Sequence, residues 1–168
     1  MKIAIVYSSK TGNTCKVAEA IAQALPTAEL YAVENAPAPD AYDLIFIGFW
    51  VDKGTADKNA QPYFAGLGTK NVAIFATLGA YADSQHAQDS LNNAAALCPQ
   101  ATVVGRFICQ GAIDPKLIAW MKTLPADHPH APDDARRKRW SDAESHPDTT
   151  DLENARAWAA KIVGANGK

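Results

Sequence analysis

"KIAIVYSSKTGNTCKVAEAIAQAL", residues 2–25, sets an apolar run against a helical pattern with a short polar stretch between them. Residues 3–7 are continuously apolar, as expected of a parallel strand covered on both faces. Behind the polar stretch, Val17, Ala18, Ile21 and Leu25 recur at helical spacing, and Pro26 marks the stop. Between them stand Ser8, Ser9, Thr11, Asn13 and Thr14 around Gly12, more side-chain oxygens than a turn requires. A loop of small residues feeding a helix N-terminus turns backbone N–H groups toward an anion, and the helix dipole adds to the attraction. Hydroxyls complete a phosphate's shell without a cation. The junction therefore reads as a phosphate cradle rather than an ordinary loop.

The remainder of the chain repeats the strand-helix alternation. "ELYAV" (29–33) is short and alternating, which suits an edge strand. "DLIFIGF" (43–49), "NVAIFAT" (71–77) and "TVVGRFIC" (102–109) are further strand runs. Helices are expected over 59–67, with Pro62 in the first turn, and over 84–98, with Ala87, Leu91, Ala94, Ala95 and Cys98 on one stripe. Asp114-Pro115 reads as N-cap and first helical residue, with Leu117, Ile118 and Met121 on one face. Thr150-Asp151-Leu152-Glu153 reads as a capping box opening a helix that turns Leu152, Ala155, Ala159 and Ile162 inward. Five strands alternating with helices predict a doubly wound α/β fold, a single domain over 1–168. Residues 125–148, rich in proline and charge, break the rhythm and are expected to run over the surface with one helical turn near Arg136 to Trp140.

Composition narrows the function classes. With 168 residues, 48% hydrophobic and 20% charged, the chain can bury a sizeable core. A formal net charge of −2 supplies no general attraction to nucleic acid or membrane, and the apolar run 44–51 is too short to span a bilayer. The first strand starts at once, without a signal-peptide layout, and three cysteines without metal-type spacing fit a reducing cytoplasm. Cys98 and Cys109 are expected to pack as small hydrophobes; Cys15, beside the expected phosphate, is not a nucleophile candidate. His128 and His130 read as solvated loop residues, so no metal site is expected.

In doubly wound sheets, ligands sit beyond the carboxyl ends of the strands, where strand order reverses. Three loops qualify: 8–13, 50–57 and 78–84. The latter two combine glycine with a large aromatic, Trp50 and Tyr81, which either sandwich a flat ring or only pack their loops. Phosphate at one end and aromatic faces at the other describe a flavin mononucleotide, FMN.

Residues 5–21, "IVYSSKTGNTCKVAEAI", resemble the flavodoxin signature throughout, at the apolar strand end, Ser9, Gly12, Thr14, Ala18 and Ile21. It is not a Walker loop, because Lys10 precedes Gly12 and the upstream glycine is missing. The resemblance covers most of 1–109 and, more weakly, the closing helix. It implies a five-stranded parallel sheet in the order 2-1-3-4-5 with helices on both faces. It also implies FMN held at its phosphate by Ser9, Lys10 (through its amide), Thr11, Gly12, Asn13 and Thr14. Around the ring it implies Trp50, Val51 and Gly54 from the second loop and Thr77, Leu78, Gly79 and Tyr81 from the third. Flavodoxins place near flavin N5 a glycine peptide that turns over on reduction. The resemblance implies that place for Lys53-Gly54, which is followed by Thr55-Ala56-Asp57 rather than the family's usual acidic residues.

The resemblance further implies electron transfer, here to a dedicated partner reductase. Flavodoxins are strongly acidic, whereas this chain is nearly neutral, so steering by net charge is not expected. "RRKR" (136–139) is either a solvated turn balanced by Asp133, Asp134, Asp142 and Glu144, or a docking or clamp site for an anionic partner or for the 2′-phosphate of NADPH. The alternative function is an NAD(P)H-dependent FMN oxidoreductase acting on quinones or another conjugated acceptor, with 125–148 as lid. A binding module that has lost its cofactor is the third reading, against which the intact cradle speaks.

Overall fold

The computed structural model describes residues 1–166. Five parallel strands form the sheet: β1 (Ile3–Tyr7), β2 (Glu29–Ala32), β3 (Leu44–Asp52), β5 (Asn71–Leu78) and β6 (Thr102–Gln110). A two-residue strand, β4 (Thr55–Ala56), folds back antiparallel on the end of β3. The order β2-β1-β3-β5-β6 is the expected 2-1-3-4-5 once β4 is set aside. Order reverses between β1 and β3, whose pairing runs from Ile3 opposite Leu44 to Tyr7 opposite Gly48.

Alternation along the strands divides the core into two layers. Ala4, Val6, Ile45, Ile47, Val72 and Ile74 face one way, onto Phe64 and the helix α3 (Gln85–Ala95). Ile5, Leu44, Phe46, Ala73 and Phe75 face the other, onto α1 (Asn13–Ala24) and α6 (Thr149–Asn166). Both faces of the sheet are thus covered, which is why its central strands read as unbroken apolar runs.

Several expected boundaries shift. The helix expected over 59–67 is only α2 (Gln61–Ala65), because Asp57 first closes a capped turn through Asn59 and Ala60. The helix expected over 84–98 ends at Ala95, although Cys98 is still buried. Asp114 does cap α4 (Pro115–Met121), accepting from Lys116 N–H at 2.9 Å. Leu117, however, is 43% exposed instead of turned into the core with Met121. The cap of α6 is Asp148, not Thr150: Asp148 and Asp151 exchange backbone-to-carboxylate bonds of 3.0 and 2.9 Å. Both pairs satisfy the same spacing rule, and the earlier one wins by starting the helix sooner.

Within the excursion expected over 125–148, the single turn expected near Arg136 to Trp140 is a longer helix. This is α5 (Asp134–Ala143), ten residues capped by Asp133, with Trp140 and Ala143 buried beneath an otherwise charged surface.

Candidate functional site

Beyond the carboxyl ends of β1, β3, β5 and β6 the loops enclose a cavity of about 210 Å³. Ser9, Lys10, Thr11, Asn13 and Thr14 line one end; Trp50, Val51, Thr77, Leu78 and Gly79 line the flank. Ten of the expected site residues therefore converge on one space. Gly111, Ala112, Ile113, Asp114, Leu117 and Met121 complete the wall.

The polar end is built for an anion. Gly12 is the N-cap of α1 and sits at φ 95°, a left-handed conformation that glycine adopts without Cβ strain. Its lack of a side chain leaves the helix without a side-chain cap. The first intrahelical bond runs from Lys16 N–H to Gly12 C=O, so the amides before it keep their donors. The first turn carries no acidic residue to occupy them. Ser9 Oγ accepts from Gly12 N–H at 3.1 Å, which leaves the hydroxyl proton available. Asn13 Nδ2 donates to Ala112 C=O at 2.8 Å and fixes the loop after β6 against the cradle. Thr14 is fully buried and bonds the hydroxyl of Thr77 at 2.9 Å, joining the loops after β1 and β5. Donors, an uncapped helix and no opposing carboxylate in the turn fit a phosphate dianion.

The loop rests on a buried anchor. Asp57, 1% exposed, accepts from Ser8 Oγ at 2.7 Å through Oδ1, and the same oxygen accepts from the amides of Asn59 and Ala60. One carboxylate thus ties the start of the cradle to the segment following the β3–β4 hairpin.

The apolar end fits a flat ring: Trp50, Val51, Leu78, Ile113, Leu117 and Met121 present no charge. Lys10 bridges its rim. The ammonium lies 5.4 Å from the Trp50 ring centroid and 3.3 Å from Asp114 Oδ2. Asp114 is held below the usual carboxylate range, first by the Lys116 amide and then by Lys10.

Three expected site residues lie outside this lining. Gly12 shapes the cradle from behind, as its cap. Gly54 lies in the β3–β4 turn, where Lys53 at φ 51° and Gly54 at φ 77° give the paired left-handed conformation of a tight hairpin. Its carbonyl accepts from Asn93 Nδ2 at 2.9 Å. Tyr81 does not face the cavity: it is 38% exposed and donates to Asp142 Oδ2 at 2.7 Å. This bond is the first cause of the raised Tyr81 pKa.

The wall from Gly111 to Met121 escaped the sequence reading. Its signal was present, because a loop ending in Asp114-Pro115 also lies at the carboxyl end of a strand. That loop offers the cavity backbone and aliphatic groups, which carry no motif.

The sequence profile of the Flavodoxin domain matches residues 4–160. The chain belongs to the flavodoxin family. A flavodoxin-like domain-containing protein BilS of Clostridioides difficile (strain CD3) is 30% identical over 176 residues, covering 97% of each chain. Among solved structures, a short-chain flavodoxin associated with a non-canonical PDU bacterial microcompartment superposes with a TM-score of 0.61 at 14% identity, covering 98% of this chain and 99% of that one. A flavoprotein from Lactobacillus acidophilus NCFM, solved in complex with FMN, gives 0.55 at 18% identity over 71% of this chain and 97% of its own. No helix among the described residues is long and apolar enough to cross a membrane.

Proposed function

We infer that the chain binds FMN and acts as an electron-transfer protein serving a dedicated partner reductase. The uncapped N-terminus of α1 beside an apolar, Trp50-walled cavity carries the reading. The Lactobacillus flavoprotein, of the same fold, is solved with FMN, and the Clostridioides relative, matched over 97% of its length, is named a flavodoxin-like domain-containing protein. Bound FMN would supply one- and two-electron redox chemistry, which no side chain of the cavity can.

The residues present divide the remaining work. Ser9, Thr11, Asn13, Thr14 and the first-turn amides of α1 hold the phosphate. Trp50 and the aliphatic wall exclude water from the ring and orient it. Thr77 and Asp57 fix the loops that carry these groups, through Thr14 and Ser8. No cysteine lines the cavity among the described residues; Cys109, at the end of β6, is buried, and burial pushes its thiol pKa up. Three free cysteines fit a reducing compartment, in keeping with a cytoplasmic carrier.

Adding FMN to flavin-free protein should give a yellow one-to-one complex that dithionite reduces and NADPH alone leaves oxidised. A protein that ignores FMN would contradict the cofactor assignment. Rapid bleaching by NADPH with turnover on a quinone would replace the carrier by the oxidoreductase reading.

A further inference from the structure

The basic run 136–139 is largely spent on its own surroundings. Arg136 donates to the carbonyl of Ala131, Arg137 pairs with Asp134 and Lys138 with Asp142. The unspent charge lies around α4 instead. This helix forms a ridge between two depressions. On one side is the Trp50-walled cavity, lined by Leu117 and Met121. On the other is a groove of about 830 Å³, lined by Ile118 and Ala119, with Lys16, Lys122 and the Asp134-paired Arg137 as its cations and Glu144 as its carboxylate. Lys116 joins Lys10 in a third depression beside Leu117. Among the described residues, Lys16, Lys116 and Lys122 form no ion pair.

The crest is apolar. Trp120 is 50% exposed and Leu117 43% exposed, three residues apart on adjoining positions of one helical face. Lys116 stands one turn before Trp120 on the same helical face, while Lys16 and Lys122 lie across the ridge along the groove. An exposed tryptophan on a ridge flanked by such ammonium groups has the composition of an interface anchor with a charged rim. A net charge of −2 therefore conceals a local excess of cationic groups around α4.

We propose that α4 is the docking ridge for a redox protein with an acidic surface, Trp120 being its anchor and Lys16, Lys116 and Lys122 its rim. This rests on the electron-carrier reading, since it seats the partner against the cavity wall at Leu117. The polarity is the reverse of a carrier that presents carboxylates to a basic partner. Opposite charges at the rim accelerate encounter, and the buried anchor sets the residence time.

The test uses the FMN-loaded protein and two probes, an oxidised plant-type [2Fe–2S] ferredoxin as the acidic protein and a basic cytochrome c. Amide shifts on titration with ferredoxin should move over 116–122, and the affinity should fall as salt is raised. Trp120→Ala and Lys122→Glu should each weaken binding about tenfold, the loss of one anchor or the reversal of one rim charge. Cytochrome c should not produce the footprint. The proposal is overturned if both variants bind ferredoxin like the parent, if cytochrome c binds better, or if the footprint lies elsewhere. It is equally overturned if Trp120 instead mediates self-association or attachment to phosphatidylserine vesicles. Loss of FMN binding with the footprint intact would remove the carrier reading and leave the docking ridge standing.

Discussion

Tyr81 Oη donates to Asp142 Oδ2 at 2.7 Å and so ties the loop after β5 to α5. Lys138 reaches the same carboxylate oxygen at 2.6 Å, making Asp142 the node that fastens this helix beside the site. A tyrosine held there is a strut for α5 and leaves ring contact to Trp50 and the aliphatic wall.

Tyr81→Phe should therefore change FMN affinity less than threefold, while Trp50→Ala should reduce it about tenfold or more through loss of aromatic contact. Fluorescence titration of the flavin measures both. Equal losses would return Tyr81 to the ring site.

Asp57→Ala should lower unfolding stability by about 1–3 kcal/mol, because it leaves the buried Ser8 hydroxyl and the Asn59 amide without their acceptor. Asp57→Asn, which keeps one acceptor oxygen, should lose less. Urea denaturation midpoints check the order, and an unchanged midpoint in Asp57→Ala would contradict the anchoring role.

Asp114 supplies a pH dependence with a definite sign. Its folded pKa lies below the ordinary 3.8, so the stability it contributes is complete above that value and is lost as pH falls through the lower folded pKa. The stability gap between parent and Asp114→Asn should be constant above pH 3.8 and close on further acidification. A gap that opens with acid would contradict the cap and the Lys10 pair as causes. Urea unfolding at a series of pH values supplies the measurement.

Legibility in the sequence followed the range of each interaction. The strands and the cradle are local patterns, visible from Ile3 to Leu25, and the sheet order came with the flavodoxin resemblance they support. The β3–β4 hairpin was not legible, since two residues of strand carry no periodicity and Lys53-Gly54 is a weak turn pair. Of α5 only one turn was legible, because its inward face is only Trp140 and Ala143 amid charge. The role of Tyr81 stayed open for the same reason: its partner lies 61 residues away, on that helix. The cavity wall from Gly111 to Met121 depends on a tertiary arrangement without a motif. The exposure of Leu117 likewise depends on what α4 fails to meet.

The central claim is that the loop from Ser9 to Thr14 binds a phosphate, and comparison of FMN with riboflavin isolates that group. Calorimetric titration of flavin-free protein should show FMN binding at least about a hundredfold more tightly than riboflavin, as charge-assisted bonds to the phosphate require. Thr11→Ala should narrow the ratio without altering the fold. Equal affinity for the two flavins, or a ratio unmoved in Thr11→Ala, would contradict the phosphate cradle.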